Sequence, residues 1–185
     1  MQYERPLYER DPVAWQAHLA EGNAKQPRKR VGADVLLRND RGEILLVKPS
    51  YKPGWDLPGG VAEANEPPHL AAERELREEL GLDIRVGPLL VVDWAAPHGP
   101  WDDALMFIFD GGRLDNQQIA TLRPTDAELT GIAFRAPPEA IDALRHHIGR
   151  RLRHAIQASS DGRPRYVINS ADPPWPWADV PGDSS

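Results

Sequence analysis

The stretch from Gly59-Gly60 to Leu82 constrains this chain more than any other. From Leu70 to Leu80 nearly every residue is a good helix former. Pro67 and Pro68 fit only at a helix start, with Asn65 or Glu66 as the cap, and Gly81 stands where a helix needs a left-handed stop. The expectation is a helix of about three turns held between two loops. On it Glu75, Glu78 and Glu79 fall at i, i+3 and i+4, so they share one face. Ala72, Leu76 and Leu80 make the adjoining apolar stripe, which should face a core. Arg74 lies on the flank, one turn before Glu78, and can pair with it.

Three carboxylates this close repel. One pair at about 4 Å costs roughly 4 kcal/mol at an effective dielectric near 20. An exposed helix relieves this by splaying the side chains into water, whereas a pocket needs bound cations. Oxygen-only ligands suit Mg²⁺ or Mn²⁺, and Mg²⁺ commonly sits between carboxylates and substrate phosphates.

Gly60, Glu66, Arg74-Glu75, Glu78-Glu79 and Gly81, with apolar Leu76 and Leu82 between and after them, resemble the signature box of the Nudix hydrolases. Every specified position of that box is met. The resemblance covers about residues 31 to 156. It implies an α/β fold, a Nudix-type α/β/α sandwich with a mixed central sheet. It also implies a pyrophosphohydrolase that uses Mg²⁺ (or Mn²⁺) to hydrolyse a diphosphate linkage in a nucleoside diphosphate derivative. Carried over by position, Glu75, Glu78 and Glu79 resemble the metal ligands. The Gly60 carbonyl resembles a backbone ligand, and Glu66 the glutamate that supports the box loop or the metal shell. Arg74 resembles the residue that orients a box glutamate by a salt bridge. The general base varies within the family between a box glutamate and one from a later loop; Glu128 is the candidate for the later one, with a simple strand-edge glutamate as the alternative. Pro97, fifteen residues past Leu82, resembles a feature of the subgroup acting on ADP-ribose. The signature associated with NADH cleavage is absent from the segment after the box.

Two other functions stay open. One is removal of damaged or surplus nucleoside triphosphates. The other is a non-catalytic, nucleotide-sensing module of the same fold, which loss of box glutamates would mark; none is lost. A third class, an interaction protein, would use the tryptophans near the C-terminus.

The rest of the chain is read around the box. Residues 1–30 look like an extension with a short helix, Asp11 capping it and Pro12 at its first position. Lys25 to Arg30 holds four basic residues, read as a solvated linker or a basic rim beside an anionic substrate. Val31–Arg38 and Glu43–Lys48 read as strands buried on both faces and joined by the turn Asn39-Asp40-Arg41-Gly42. Lys48, at a strand end, is a phosphate contact or a surface lysine; Trp55, in the loop that follows, is a core plug or a pocket wall. Ile84–Val86 with Leu89–Trp94 read as a strand pair or one bent strand, and Ala104–Asp110 as a central strand. Gly111–Ala127 reads as a long loop and Glu128–Phe134 as a last strand. One helix should start at Pro137-Pro138. It places Ile141, Leu144, Ile148, Leu152 and Ala155 inward, and Arg145, His146, His147, Arg150, Arg151, Arg153 and His154 on a solvated face. The domain is therefore set at 31–158. Residues 159–185 are rich in Pro, Ser, Asp and Gly and read as an extended tail, with Trp175 and Trp177 pinning it to the body or to a second subunit in a homodimer.

Composition bounds the partners. A net charge of −6 argues against a nucleic-acid partner. No cysteine means no disulfide and no thiolate chemistry. No apolar run reaches bilayer length and the first residues lack the apolar core of a secretory signal, so a cytoplasmic location is expected, with a small-molecule nucleotide as partner and no membrane.

Overall fold

The structure, a computed structural model, describes residues 5–125 and 127–173. Its centre is a mixed sheet built from β1 (Arg30–Arg38), β2 (Ile44–Pro49), β3 (Gly59–Val61), β4 (Leu89–Ala95), β5 (Ala104–Arg113), β6 (Leu129–Arg135) and β7 (Arg165–Ile168). The strand order is β6-β2-β1-β5-β4-β7, with β3 added against β1. β1/β5 and β4/β7 run parallel and the other pairs antiparallel.

The helices are α1 (Leu7–Arg10), α2 (Pro12–Ala24), α3 (Pro68–Leu80), α4 (Asn116–Thr121), α5 (Pro137–Ala143) and α6 (His146–Asp161). The sheet carries one core on each face. Ala33, Val35, Leu37, Leu45 and Val47 pack against Ala71, Ala72, Leu76 and Leu80 of α3. Leu36, Ile44, Leu46, Val91 and Ile108 pack against Ala140 of α5 and Ile148, Leu152 and Ala155 of α6. Consecutive β1 residues serve opposite cores, as the continuous apolar run requires. The layers form the expected α/β/α sandwich.

β1 shares one edge between two partners. Near its C-terminal end Arg38 pairs with Ile44 of β2 across the turn, where the Asn39 side chain accepts from the backbone N–H groups of Arg41 and Glu43, both at 3.0 Å. Near its N-terminal end Gly32, Ala33 and Asp34 pair with Val61, Gly60 and Gly59. The splay between β1 and β2 thus brings the glycine pair into the sheet beside β1. A Cβ at Gly59 would lie 2.2 Å from the Ala33 carbonyl oxygen, and its φ of +135° suits glycine alone.

Several expectations need correction. Residues 84–86 form no strand; Val86 N–H donates to Glu73 of α3 at 3.0 Å instead. The long loop after β5 contains α4, started by a reciprocal capping box between Asp115 and Gln118. The helix after Pro137-Pro138 is two helices, broken at Leu144, where the backbone is extended and bridges to Trp55. A Cβ at Gly149 would lie 2.5 Å from the Ile141 carbonyl oxygen, so α6 turns back against α5 at close range.

The expected tail also differs. α6 runs on to Asp161, and Arg165–Ile168 adds strand β7 to the sheet edge beside β4. Trp175 and Trp177 lie outside the described residues. Arg151, placed by its charge on the solvated face, is buried, because Asp93 of β4 supplies its counter-charge. The basic linker is anchored: Lys29 pairs with Asp103, Arg30 donates to the Asp102 carbonyl at 3.0 Å, and its guanidinium lies over Trp101. The N-terminal helix is capped by Asp11 as expected, and neither α1 nor α2 has a buried residue. Among the described residues no helix is long and apolar enough to cross a membrane.

Candidate active site

α3 starts at the Pro67-Pro68 pair and stops at Gly81, whose φ of +67° is the left-handed conformation expected there. The Leu82 N–H reaches back to the Leu76 carbonyl at 3.1 Å, closing the last turn. Thr125 covers the same end, donating from its backbone N–H to the Glu79 carbonyl at 2.9 Å and from its hydroxyl to the Glu78 carbonyl. The apolar stripe Ala72, Leu76 and Leu80 is buried on the sheet, which fixes the rotation of the glutamate face.

Glu75 is the centre of that face. Its carboxylate lies against the backbone of Gly60: a Cβ there would be 2.4 Å from the carboxyl carbon. A side chain at this position would therefore have to displace the Glu75 carboxylate. Burial pushes the Glu75 carboxyl up, Arg74 pulls it back, and the charges of Glu78 and Glu128 push it up again. Glu79 is buried and Glu78 largely exposed.

Arg74 ties the site together. Its Nε and Nη2 meet both oxygens of Glu66 at 2.9 and 3.0 Å, a bidentate pair. Nη1 donates to Glu75 at 2.9 Å and to Glu78 at 3.1 Å, and Nη2 also donates to the Val61 carbonyl at 3.2 Å. Glu66 accepts from the Glu63 N–H at 2.8 Å as well, and these bonds hold its carboxyl below the ordinary range. One guanidinium thus fastens the loop after β3 to the helix that carries the glutamates.

The sequence-derived candidates divide into two groups. Glu66, Glu75 and Glu78 meet at Arg74 of α3, Gly60 lies against Glu75, Glu79 follows Glu75 by one turn on the same helix, and the Glu128 charge is felt at Glu75. The Glu128 carbonyl accepts from Ser50 N–H at 2.7 Å, setting the entry to β6. Lys48 and Trp55 are elsewhere. Lys48 is exposed, and the alternation of β2, in which Val47 faces α3, turns it to the other face. Trp55 is half-buried against the α5/α6 core, with the Arg135 guanidinium 5.4 Å from its ring centroid.

The donor set is oxygen only and suits a hard divalent cation. Among the described residues, no three ligating side chains converge as a ready-made ion site; Glu75 and Glu78 are drawn to Arg74 instead.

Sequence reasoning missed a second polar group. Asp34 of β1 stands between two apolar runs, and Asp93 of β4 between Val92 and Trp94. Charged residues inside strands expected to be buried were the available signal. Asp93 is fully buried, accepting from Arg151 Nε at 2.9 Å and from the Ser170 N–H and hydroxyl at 3.0 and 2.7 Å. Burial pushes Asp34 up to about 7 against the pull of Arg151; Asp56 adds to the rise and Lys52 opposes it.

Comparison with known proteins agrees with this layout. The solved structure of a MutT protein from Methanosarcina mazei Go1 superposes with a TM-score of 0.61 at 19% identity, covering 74% of this chain and all of that one. A UDP-X diphosphatase superposes with a TM-score of 0.63 at 20% identity, covering 83% of this chain and 74% of that one. An ADP-ribose pyrophosphatase of Mycobacterium tuberculosis (strain ATCC 25618 / H37Rv) is 55% identical over 62 residues, 31% of this chain and 30% of that protein. A putative 8-oxo-dGTP diphosphatase of Bacillus subtilis (strain 168) is 48% identical over 50 residues, 27% and 34% of the two chains. The chain thus spans about a third of the length of the curated relatives it matches. A family model described as the NUDIX domain matches residues 28–155, taking in most of both cores, the glycine pair and the whole glutamate helix. The chain belongs to the NUDIX family.

Proposed function

We propose that this chain is a divalent-metal-dependent pyrophosphohydrolase acting on a diphosphate linkage in a nucleoside diphosphate derivative, with ADP-ribose or a nucleotide sugar as the preferred type. The observation that carries the reading is Glu75, seated against Gly60 with the carboxylates of Glu78 and Glu128 pushing its own upward. Such a site is short of positive charge, and its oxygen donors fit Mg²⁺ or Mn²⁺. Glu75, Glu78 and Glu79 would hold the ion, with the Gly60 carbonyl and Glu66 in support. When bound, the ion neutralises phosphate oxygens.

The chain's own groups do the rest. Arg74 holds Glu75 and Glu78 together and anchors them to the loop through Glu66. Glu128 or a box glutamate takes a proton from the attacking water. The water oxygen bonds to one phosphorus as the bond from that phosphorus to the bridging oxygen breaks. The bridging oxygen leaves with the second phosphate, giving two phosphate monoesters.

The Mycobacterium tuberculosis relative named an ADP-ribose pyrophosphatase and the placement of Pro97 favour the diphosphate substrates. The Bacillus subtilis relative named a putative 8-oxo-dGTP diphosphatase favours a second reading, hydrolysis of a nucleoside triphosphate. A turnover panel of ADP-ribose, a nucleotide sugar, a dinucleoside polyphosphate and a nucleoside triphosphate, with Mg²⁺, Mn²⁺ or EDTA, tests both. The expected outcome is metal-dependent cleavage of ADP-ribose or the nucleotide sugar, stopped by EDTA. Binding without turnover across the panel would make the chain a sensor and end the hydrolase reading.

A further inference from the structure

Arg151 and Asp34 have no work in the chemistry described above, yet both are built into the interior. Arg151 is 4% exposed, and its Nε is spent on Asp93, itself held by Ser170. Neither Nη nitrogen makes a hydrogen bond to a described residue. Nη1 stands 3.8 Å from the Asp34 carboxylate, too far for one. Asp34 in turn accepts no hydrogen bond from a described residue, and its side chain is 16% exposed. At 3.8 Å the two charges still attract, and the donors and acceptor left over are open to a further hydrogen-bonding group.

Their position supplies a reason. Asp34 pairs in register with Gly59, next to the Gly60 that seats Glu75. Ala33 and Val35 face α3, so Asp34 faces α6, across β1 from the glutamates. Beside it the side chain of Met106 lies over Gly32, using the room a missing Cβ leaves. The local charges balance: Asp34, Asp56 and Asp93 stand with Arg151, Lys52 and Arg145. A balanced cluster offers no net attraction for another phosphate. It suits a neutral group with an acceptor beside a donor.

We propose that Arg151 and Asp34 together read the nucleobase edge of the substrate, Arg151 donating to a ring nitrogen or carbonyl and Asp34 pairing with the adjacent N–H. This rests on the pyrophosphohydrolase reading, whose diphosphate would lie on the glutamate side of β1. Asp93 and Ser170 are positioning residues that aim Arg151. Burial and the charge of Asp56 leave Asp34 able to accept or to donate near neutral pH, against the pull of Arg151.

The test is steady-state kinetics of the full chain and of Asp34→Asn and Arg151→Lys on ADP-ribose, GDP-mannose and UDP-glucose, with calorimetric binding of AMP, GMP and UMP. Melting curves identify any variant that does not fold; Asp34→Asn is isosteric and carries the test if Arg151→Lys fails. The expected result is a base preference in the wild type that Asp34→Asn lowers on the order of 10- to 100-fold, with the loss falling on KM rather than kcat. Turnover by the wild type with the same preference and KM in a folded Asp34→Asn would overturn the proposal. If the wild type cleaves none of the three, the nucleoside diphosphate reading fails, and mononucleotide binding decides alone. Binding weakened in Asp34→Asn then supports base recognition, and unchanged or absent binding refutes it.

Discussion

The Glu75 carboxylate occupies the place where a side chain at Gly60 would be, 2.4 Å from the position of a Cβ. Gly60→Ala must therefore displace Glu75, β3 or both. A misplacement of about 1 Å costs on the order of 100-fold, so kcat/KM should fall by about that factor. Steady-state kinetics with Mn²⁺ measure it, and wild-type turnover in a folded Gly60→Ala would show that the contact is unimportant.

Arg74 makes ion pairs with Glu66, Glu75 and Glu78 at once. Arg74→Gln should lower kcat by roughly 10- to 100-fold, in the range seen when groups that orient metal ligands are lost. Arg74→Lys should recover little, because an ammonium cannot reproduce the bidentate fork to Glu66. Comparing kcat across the two variants checks this. Full recovery by lysine would mean that only charge matters.

Asp93 is fully buried and balances Arg151. Asp93→Ala leaves that guanidinium uncompensated and should destabilise the fold by about 3–5 kcal/mol. Urea unfolding gives the value directly; a loss under about 1 kcal/mol would place the pair in water rather than in the core.

Asp34 gives a stability signature with a definite sign. Its ordinary value is 3.8 and its folded value about 7. Between these the unfolded chain has lost the proton while the native chain keeps it, so this group's contribution is complete below the lower value and is lost as pH rises through the upper one. Arg151, Asp93, Asp56 and Lys52 face it throughout. Asp34→Asn cannot titrate, and its melting temperature relative to wild type should rise between about pH 4 and pH 8. A constant difference across that range would contradict the placement of Asp34.

Features that depend on neighbours in sequence were legible from the chain alone. The proline start, the Gly81 stop and the i, i+3, i+4 glutamates are local rules, and α3 follows them from Pro68 to Leu80. The apolar runs of β1 and β2 likewise announced burial on both faces. Arg151 was misread because a helix pattern sorts residues by type, and its partner Asp93, itself held by Ser170, comes from another element 58 positions away. β7 was missed because Pro, Ser, Asp and Gly around it outweighed four strand residues whose pairing with β4 is long-range. The break at Leu144 carries no glycine or proline, and depends on packing against Trp55 and on Gly149 further along.

The central claim is that the glutamates of α3 hold a divalent ion for diphosphate cleavage. Mn²⁺ titration followed by electron paramagnetic resonance, on wild type, Glu75→Gln and Glu79→Gln, tests it most directly, with turnover measured on the same samples. The expected result is Mn²⁺ binding in the wild type, weakened on the order of tenfold or more in each variant, with turnover reduced by orders of magnitude while the fold survives. Equal Mn²⁺ affinity in all three proteins, or near-wild-type turnover in Glu79→Gln, would contradict it.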